Sequence, residues 1–327
     1  MEKITSPLIY GFCVSDTQSI TQLDWEHLES TMWPQDCQWR WLHVDREYAG
    51  LKDWLELQEG TTETVVNAML QIDTRPRVIA HNNGFLLNLR GVNLSPGSMP
   101  EDMVSLRLWV TENQVVSTCA RRVLAAEDLR DAFLANSAPG TVSGVVSFIT
   151  DRLVGRIDPV VVKLQEELDE MEEKLLNENE KPNASQLISF RRSVLGLRRY
   201  IAPQRDALIE LIKHEDSVLI DNDRHQLCDS LDWLIRLAED LDLIRERAML
   251  QHEQLVAERT DAINDRLFVL ALISAVFLPL SIVAGLFGVN IGGMPGANNP
   301  YGFIILCAAM ALLAVVIVVI FRRMKWI

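Results

Sequence analysis

The chain has few cysteines and none in a CxxC pair. The five are scattered along 327 residues, at Cys13, Cys37, Cys119, Cys228 and Cys307. An odd number at wide spacing argues against a disulfide framework and against a thiolate zinc knuckle. We therefore expect all five to be reduced thiols of the cytosol or the membrane.

Common catalytic motifs are also absent. The sequence contains no Gly-x-x-x-x-Gly-Lys, His-Glu-x-x-His or Gly-x-Ser-x-Gly pattern. These patterns mark phosphate-binding loops, zinc proteases and serine hydrolases. We predict that the protein is not an enzyme, uses no nucleotide and needs no cofactor.

Basic residues are outnumbered by acidic ones. Lys and Arg total 31 against 45 Asp and Glu, a formal net charge of -14. Nucleic-acid binding depends on basic residues that meet phosphates, so nucleic acid is excluded as a partner and cations are expected instead. The first ten residues carry only Lys3 as a basic residue, with no long apolar run after them. That start indicates no secretory signal, so the N-terminal part is expected in the cytoplasm.

Charge disappears completely between Arg266 and Arg322. A membrane span needs about 20 apolar residues, and this stretch provides two, 267–289 and 301–321, around a loop at 290–300 that is rich in glycine and proline. Arg266, Arg322, Arg323 and Lys325 flank the outer ends of the spans. The positive-inside rule then places both termini in the cytoplasm and the loop outside.

The first span carries only two hydroxyl side chains, Ser274 and Ser281. Their seven-residue spacing places them on one face of a helix. Two helices cannot enclose an aqueous path, so a transport pathway needs several copies with this face inward. A plain membrane anchor is the alternative. The apolar residues near the same face either line the pore and close it by dewetting or pack between helices: Leu267, Leu270, Ala271 and Leu278.

The serine face, continued in sevens toward the N-terminus, meets four acidic residues, which we call the acidic seam: Glu253, Glu246, Glu239 and Asp232. As rings in an oligomer they would concentrate divalent cations. In a straight helix this register drifts by about 20° per heptad, so a solvated acidic face is the alternative. A second acidic run, at 166–173, is typical of a solvated face or of a surface that attracts metal.

His225 and Cys228 form a candidate metal site. They lie three apart on a predicted helix, close to Asp229 and Asp232, and all four are residue types that bind zinc. No paired His or Cys lies nearby in sequence to complete four ligands. A solvated histidine and a core cysteine are the alternative interpretation.

The cytoplasmic part divides by its patterning. Strand-like runs at 39–44, 85–92 and 106–118 mix with helical ones at 47–57 and 63–70, which predicts a mixed α/β domain over 1–137. Helical stretches at 140–177, 184–214 and 223–290 predict a long-helix stalk over 138–266 that runs into a membrane segment over 267–327. The last helix would be roughly 100 Å long.

Gly288-Val289-Asn290 ends the first span and is followed by Ile-Gly-Gly-Met-Pro-Gly. This pattern, eleven residues before a terminal second span and a basic tail, resembles the signature of the CorA metal-transporter superfamily, in which most members carry Gly-Met-Asn. The valine variant and its continuation are similar to the ZntB-type zinc transporters, as are the runs at 41–43, 75–77 and 199–206. The resemblance implies a homopentamer with a cytoplasmic funnel and a pore lined by the first span, with Gly288, Val289 and Asn290 as its selectivity filter.

The 290–300 loop carries no acidic residue, whereas the magnesium-transporting relatives usually have one there. This departure favours zinc, with cadmium, nickel and cobalt as further candidates, and the resemblance implies uptake coupled to protons in a bacterial-type inner membrane, surrounded by its lipids. A magnesium or cobalt channel of the same architecture is one alternative. A membrane-anchored metal sensor without flux is the other.

Overall fold

The computed structural model describes residues 6–26, 34, 36–58, 60–72, 74–81, 84–176, 184–213, 218–289 and 299–324. By contacts the chain forms two compact units, Met1–Gln251 and His252–Ile327. The three-part division expected from the sequence stays a prediction.

The first unit is built on a seven-stranded sheet with the order β2-β1-β3-β7-β6-β5-β4. Only β3 and β7 pair in parallel; the other neighbours are antiparallel. Its strands are β1 (Leu8–Ser15), β2 (Ile20–Gln22), β3 (Cys37–Asp45), β4 (Arg77–His81), β5 (Gly84–Gly91), β6 (Val104–Thr111) and β7 (Gln114–Cys119). The expected strand over 106–118 was wrong in one respect, because it is two strands of a hairpin.

Two short helices cover one face of the sheet, α1 (Leu51–Glu56) and α2 (Glu63–Leu70). The Thr62 side chain accepts a hydrogen bond from the Val65 N–H and caps α2, which is why that helix begins where the sequence predicts. The helix expected at 47–57 is shorter, since only residues 51–56 are helical. The buried residues of this layer include Leu42, Leu86, Trp109, Leu55 and Met69.

The other face carries α3 (Leu124–Leu134), which the sequence analysis missed, and α4 (Val142–Leu176). Stacked rings join α3 to the sheet, with centroids 4.7 Å apart for Phe12 and Phe133 and 5.6 Å apart for Trp41 and Phe133. A Cβ on Gly91 of β5 would lie 2.6 Å from a methyl carbon of Leu153 on α4. The helix therefore packs closely against the strand, and a larger residue at Gly91 would require the Leu153 side chain to shift.

Long helices dominate the rest of the chain: α4, α5 (Ala184–Lys213) and α6 (Asp221–Phe287). These bounds confirm the three predicted helical stretches to within a few residues. Polar side chains of the first unit join the three helices, since Trp233 on α6 donates to Asp158 on α4 at 3.2 Å and Arg198 on α5 pairs with Asp242 on α6. Arg198 also holds the pKa of the Asp242 carboxyl below its ordinary value through that hydrogen bond.

The expectation that all cysteines are free was wrong for two of them. Cys13 on β1 and Cys37 at the start of β3 form a disulfide with Cα atoms 5.8 Å apart. The two are 24 residues apart in sequence, but antiparallel pairing of β1 with β3 brings them together. Among the described residues, Cys119, Cys228 and Cys307 are free.

The second unit contains the end of α6 and the helix α7 (Gly302–Arg323). Both helices are long and apolar enough to cross a membrane, judged by length and composition. None of the α7 residues is buried within the chain. An apolar helix surface of this kind matches lipid or other copies of the chain better than water.

Candidate functional site

The serine face of the first span lies on the apolar end of α6. Ser274 and Ser281 are both exposed in the single chain. The four apolar residues predicted near the same face are exposed as well: Leu267, Leu270, Ala271 and Leu278. The Ser274 hydroxyl donates to the Leu270 carbonyl at 2.8 Å, which satisfies its hydrogen in an apolar surrounding while its lone pairs stay available. Most residues of this end of α6 are exposed in the single chain on every face of the helix, so the pore-lining assignment of the serine face stays a prediction.

Two further residues of this stretch were missed by the sequence analysis. Pro279 lies inside α6 between the two serines; it has no N–H, so the Ala275 carbonyl loses its helical donor. Gly285 follows Ser281 by one turn, and a Cβ there would meet nothing within 4 Å. Both are visible in the sequence, but neither has the hydroxyl group by which the two serines were identified. Near the serines, the helix therefore lacks one backbone hydrogen bond at Pro279 and has a position without a side chain at Gly285.

The predicted filter begins where α6 ends. The Gly288 N–H donates to the carbonyls of Ala284 at 2.9 Å and Gly285 at 3.2 Å, and Gly288 and Val289 are exposed. Asn290, the residue expected to offer its amide oxygen to the ion, lies outside the described residues. The filter assignment stays a prediction.

All four members of the acidic seam are exposed in the chain: Asp232, Glu239, Glu246 and Glu253. The buried residues of α6 lie at other positions, for example Leu234, Leu241 and Ala248. The seam therefore does not contribute to the core of its own chain. Whether a seven-residue repeat stays on one face depends on supercoiling of the helix, so the pore-facing orientation stays a prediction.

The proposed metal pair receives no third ligand from the residues that the structure describes. His225 is exposed, and its Nδ1 lies 2.7 Å from the Asp221 carbonyl oxygen one turn earlier, while Cys228 is half-buried. Over the part of the chain that the structure describes, no group of three or more His, Cys, Asp and Glu side chains is placed to hold a metal ion. The metal site at His225 and Cys228 stays a prediction.

The acidic run on α4 is partly neutralised by a residue that the sequence analysis did not assign to it. Arg247 of α6 donates to Glu172 through Nε at 3.1 Å and Nη2 at 2.6 Å, and to Asp169 at 2.6 Å. These bonds raise the pKa of Arg247 above its ordinary value. At these two positions the run connects α4 to α6, and two further acids of the run, Glu167 and Glu170, pair with Lys163 and Lys174 on α4 itself at 3.8 and 3.9 Å.

A comparison with protein families matches residues 36–323 to the family described as "CorA-like Mg2+ transporter protein". The divalent cation transporter CmaX of Pseudomonas aeruginosa is 37% identical over 289 residues, covering 88% of this chain and 87% of the relative. The zinc transport protein ZntB of Pectobacterium carotovorum is 31% identical over 287 residues, covering 88% of each.

Solved structures agree with the sequence relatives. The full-length CmaX structure superposes with a TM-score of 0.82 at 33% identity and covers 100% of both chains. The complete CorA magnesium transporter of Methanocaldococcus jannaschii has a TM-score of 0.79 at 18% identity, covering 99% of this chain and 100% of the other. At that identity the second likeness concerns the fold alone. The α/β unit, the long helix and the two apolar helices therefore follow an architecture found in metal transporters.

Proposed function

The chain belongs to the CorA-like family of divalent metal transporters, and from this premise we propose that it carries zinc across the membrane as a homopentamer. The observation that carries the proposal is the Gly288-Val289-Asn290 sequence at the end of one apolar helix, directly before a second. A transporter of this family needs no catalytic group, in keeping with the absence of catalytic motifs from the sequence.

Zinc is favoured by two independent observations. The ZntB proteins that are about one-third identical to this chain are named as zinc transporters, and the 290–300 loop carries no carboxylate to attract magnesium. Magnesium holds its water shell tightly and is bound by oxygen ligands, whereas zinc accepts nitrogen and sulfur ligands as well. The name of CmaX specifies only a divalent cation, so magnesium and cobalt are the competing cargoes and cadmium and nickel the further ones.

Five copies of α6 would place Ser274 and Ser281 around a common axis, with Leu267, Leu270, Ala271 and Leu278 as apolar constrictions. Gly288, Val289 and Asn290 would form the filter at the outer mouth. The exposure of the serine face supports this arrangement, because none of the described residues buries it. Mass measurement of the detergent-solubilised protein tests it, and a conducting monomer or dimer would contradict the shared axis.

We further propose an inner-membrane location with both termini in the cytoplasm and zinc uptake coupled to protons. The orientation is supported by Arg266, Arg322 and Arg323, which flank the two apolar helices on one side. In place of an ATP-driven motor, the membrane potential or a proton gradient would supply the energy.

Reconstitution into liposomes with a zinc-sensitive dye inside is the direct test. Zinc influx that exceeds magnesium and cobalt influx, and that rises when the outside is made more acidic than the inside, is the expected result. Faster magnesium flux would favour the magnesium channel, and no flux of any metal in correctly assembled protein would favour the sensor. Protein-free liposomes and liposomes with the Asn290→Ala variant serve as controls for leakage.

A further inference from the structure

The disulfide between Cys13 on β1 and Cys37 at the start of β3 lies in the part of the chain for which a cytoplasmic location is proposed above. Cytosolic reductants keep most thiols reduced, and the disulfides that do form there are usually transient ones that carry out or sense redox chemistry. A permanent cross-link in that compartment is the exception. The position of this bond in the fold therefore matters for function.

The two sulfur atoms of the disulfide differ in exposure. Cys13 is 2% exposed and belongs to the apolar cluster between the sheet and the two short helices. Cys37 is half-buried and lies between two exposed residues, Asp36 and Gln38. A reducing thiolate must reach the sulfur that it attacks. Attack is therefore directed at Cys37, and Cys13 is the leaving group.

The nearest other cysteine of the sheet is distant from this pair. Among the described residues that cysteine is Cys119 on β7, which is opposite Asp45 at the far end of β3 from Cys37. Since β3 is nine residues long, its two ends are on the order of 25 Å apart. Thiol–disulfide exchange within the sheet is thus confined to Cys13 and Cys37, which favours one reversible bond over a mixture of pairings.

Two contacts join the surroundings of the disulfide to the segment before α4. Trp39, two residues after Cys37, is 4% exposed and donates from Nε1 to the Gly140 carbonyl at 3.1 Å. Gln18, in the turn between β1 and β2, lies against the same glycine, because a Cβ on Gly140 would be 2.8 Å from its Oε1. Both strands that the disulfide connects therefore lead directly to Gly140.

The residues after Gly140 hold the start of α6. The Thr141 hydroxyl donates to an Asp223 carboxylate oxygen at 2.8 Å, and the Ser143 hydroxyl donates to the same oxygen. Asp223 is 8% exposed and lies in the first turn of α6, the helix that continues into the first apolar span. A series of contacts thus runs from the disulfide through Gly140 to this helix.

We propose that Cys13 and Cys37 form a reversible redox pair that controls how firmly β1, β3 and the Gly140 segment are held together. In the reducing direction a thiolate of a cytosolic dithiol attacks the Cys37 sulfur, and Cys13 leaves as a thiolate that takes up a proton. The second thiolate of the reductant then breaks the mixed disulfide, Cys37 is protonated, and the reductant leaves as its own disulfide. One electron pair and two protons pass from the reductant to the protein.

Reduction should loosen the attachment of β1 to β3. The bond joins residues that are 24 positions apart, and closing a loop of that length restricts the open chain. Openings that separate the two strands should therefore become on the order of a hundredfold more frequent in the reduced protein. The contacts of Trp39 and Gln18 with Gly140 should weaken with them, because both residues belong to the segments that separate.

The test uses the full-length protein in detergent, reduced with dithiothreitol or re-oxidised with oxidised glutathione. Alkylation and peptide mass spectrometry should find Cys13 and Cys37 as thiols in the first state and protected in the second. Hydrogen exchange should become at least about tenfold faster on reduction in β1, in β3 and at the amides of Gly144 and Val145, which bond to Thr141 in the first turn of α4.

Three variants separate the steps of this proposal. Cys37→Ser should exchange like the reduced wild type in both buffers. Trp39→Phe keeps an aromatic ring but removes the donor to Gly140, so β1 should keep its redox response while the start of α4 loses most of it. Cys228→Ser is the matched control, because it removes one half-buried thiol from α6 and should behave like wild type. If Trp39→Phe does not fold, Cys37→Ser still decides the matter.

A pair that excess dithiothreitol leaves oxidised in the folded protein, or that does not re-form, overturns the proposal. So does redox cycling without any change in hydrogen exchange. In growing cells a membrane-permeant alkylating reagent should trap both cysteines as thiols, and the disulfide should appear after a thiol oxidant is added. A pair that is oxidised throughout also overturns the proposal, which rests on the cytoplasmic location. None of these measurements uses zinc flux, so a failure of the transport proposal would be recognised separately in liposomes.

Discussion

The guanidinium of Arg247 on α6 donates two hydrogen bonds to the carboxylate of Glu172 on α4, from Nε to Oε1 at 3.1 Å and from Nη2 to Oε2 at 2.6 Å. The two residues lie 75 positions apart in sequence. Nη2 also reaches Asp169 at 2.6 Å, so one arginine is shared between two acids of a run that would otherwise repel itself. Forked pairs of this kind are stronger and more directional than single ion pairs.

Removing the hydrogen bonds of Arg247 to Glu172 and Asp169 should weaken the attachment of α6 to α4. Arg247→Gln is expected to lower the stability of the first unit by roughly 1 kcal/mol, a modest value because both acids are more than a third exposed and screened by water. A double-mutant cycle with Glu172→Gln should give a coupling free energy of about 0.5 to 1 kcal/mol that shrinks in high salt. Thermal unfolding of the solubilised protein measures both values.

Arg152→Gln is the charge-matched control for that cycle, since its side chain stacks on Phe148 and its α4 position is exposed. It should change stability by less than about 0.5 kcal/mol. A coupling near zero between Arg247 and Glu172 at low salt would mean that the geometry of the pair contributes no net stability.

His43 gives the α/β part of the chain a sensitivity to acid. It is 2% exposed, with Nδ1 2.8 Å from Ser117 Oγ and Nε2 3.3 Å from Cys119 Sγ. Burial lowers its pKa from 6.5 to about 4, partly opposed by the charge of Glu127. The folded state therefore prefers the neutral ring. This contribution to stability is complete above pH 6.5 and is lost as the pH falls toward 4, by roughly 3 kcal/mol in total.

His43→Gln should accordingly flatten the decline in stability between pH 6.5 and pH 4, while lowering stability at pH 8 through imperfect packing. Chemical denaturation at a series of pH values provides the curves. His225→Gln is the control, because that histidine is exposed on α6 and its loss should leave the acid dependence as it is. An unchanged slope in His43→Gln would assign the acid sensitivity to other groups.

The sequence predicts those parts of the fold whose signals are local. The apolar spacing of 63–70 reproduces α2, and uninterrupted helical patterning reproduces the three long helices. Contacts between distant residues leave no such trace. The Cys13–Cys37 disulfide and the hydrogen bonds between Arg247 and Glu172 each depend on which strand or helix lies beside which. The serine face is intermediate, because its seven-residue spacing is visible in the sequence whereas the surface that it would face depends on the proposed assembly of several copies.

Ser281 on the serine face should matter for transport through its hydroxyl. Ser281→Leu removes a group that can replace a water of a passing cation, and a loss of about 1 to 1.5 kcal/mol per hydrogen bond corresponds to at least about a fivefold drop in zinc flux. Val283→Leu, two residues further along the same helix and away from the serine spacing, should leave flux close to wild type. Equal flux in the two variants would remove Ser281 from the pore.

The filter assignment leads to a separate expectation at the outer mouth. Asn290→Ala should reduce zinc flux severely in a protein that still assembles, because an amide oxygen is lost and no core contact is expected there. Asn290→Asp should retain zinc binding through its carboxylate. Asn299→Ala is the control in the same loop; its side chain accepts a hydrogen bond from the Tyr301 N–H at 2.9 Å and is not expected to contact the ion. Flux measurements in liposomes and size measurements in detergent test the two effects separately.

The acidic seam is the remaining element of the transport hypothesis. Its exposure in the single chain is compatible both with rings that concentrate cations and with an acidic face in contact with solvent. If Glu246 and Glu253 face the axis of the proposed pentamer, each position contributes five carboxylates to a ring, and the combined field raises the local zinc concentration. Glu246→Gln combined with Glu253→Gln should then raise the zinc concentration needed for half-maximal flux several-fold, on the order of tenfold at low ionic strength, where such fields act over longer distances. The maximal flux should change little, because the filter and the serine face are intact.

The charge-matched control for this variant is Glu63→Gln combined with Glu210→Gln, which removes two exposed carboxylates from α2 and α5. If net charge alone attracts zinc, both double variants should raise the zinc concentration for half-maximal flux equally. If a ring of carboxylates attracts it, only the variant at Glu246 and Glu253 should do so. Raising the salt concentration should bring the Glu246 and Glu253 variant closer to wild type, because counter-ions screen the ring in the wild-type protein. If both double variants reach half-maximal flux at the same zinc concentration as wild type at low salt, Glu246 and Glu253 face solvent or neighbouring helices. Zinc then reaches the pore without them.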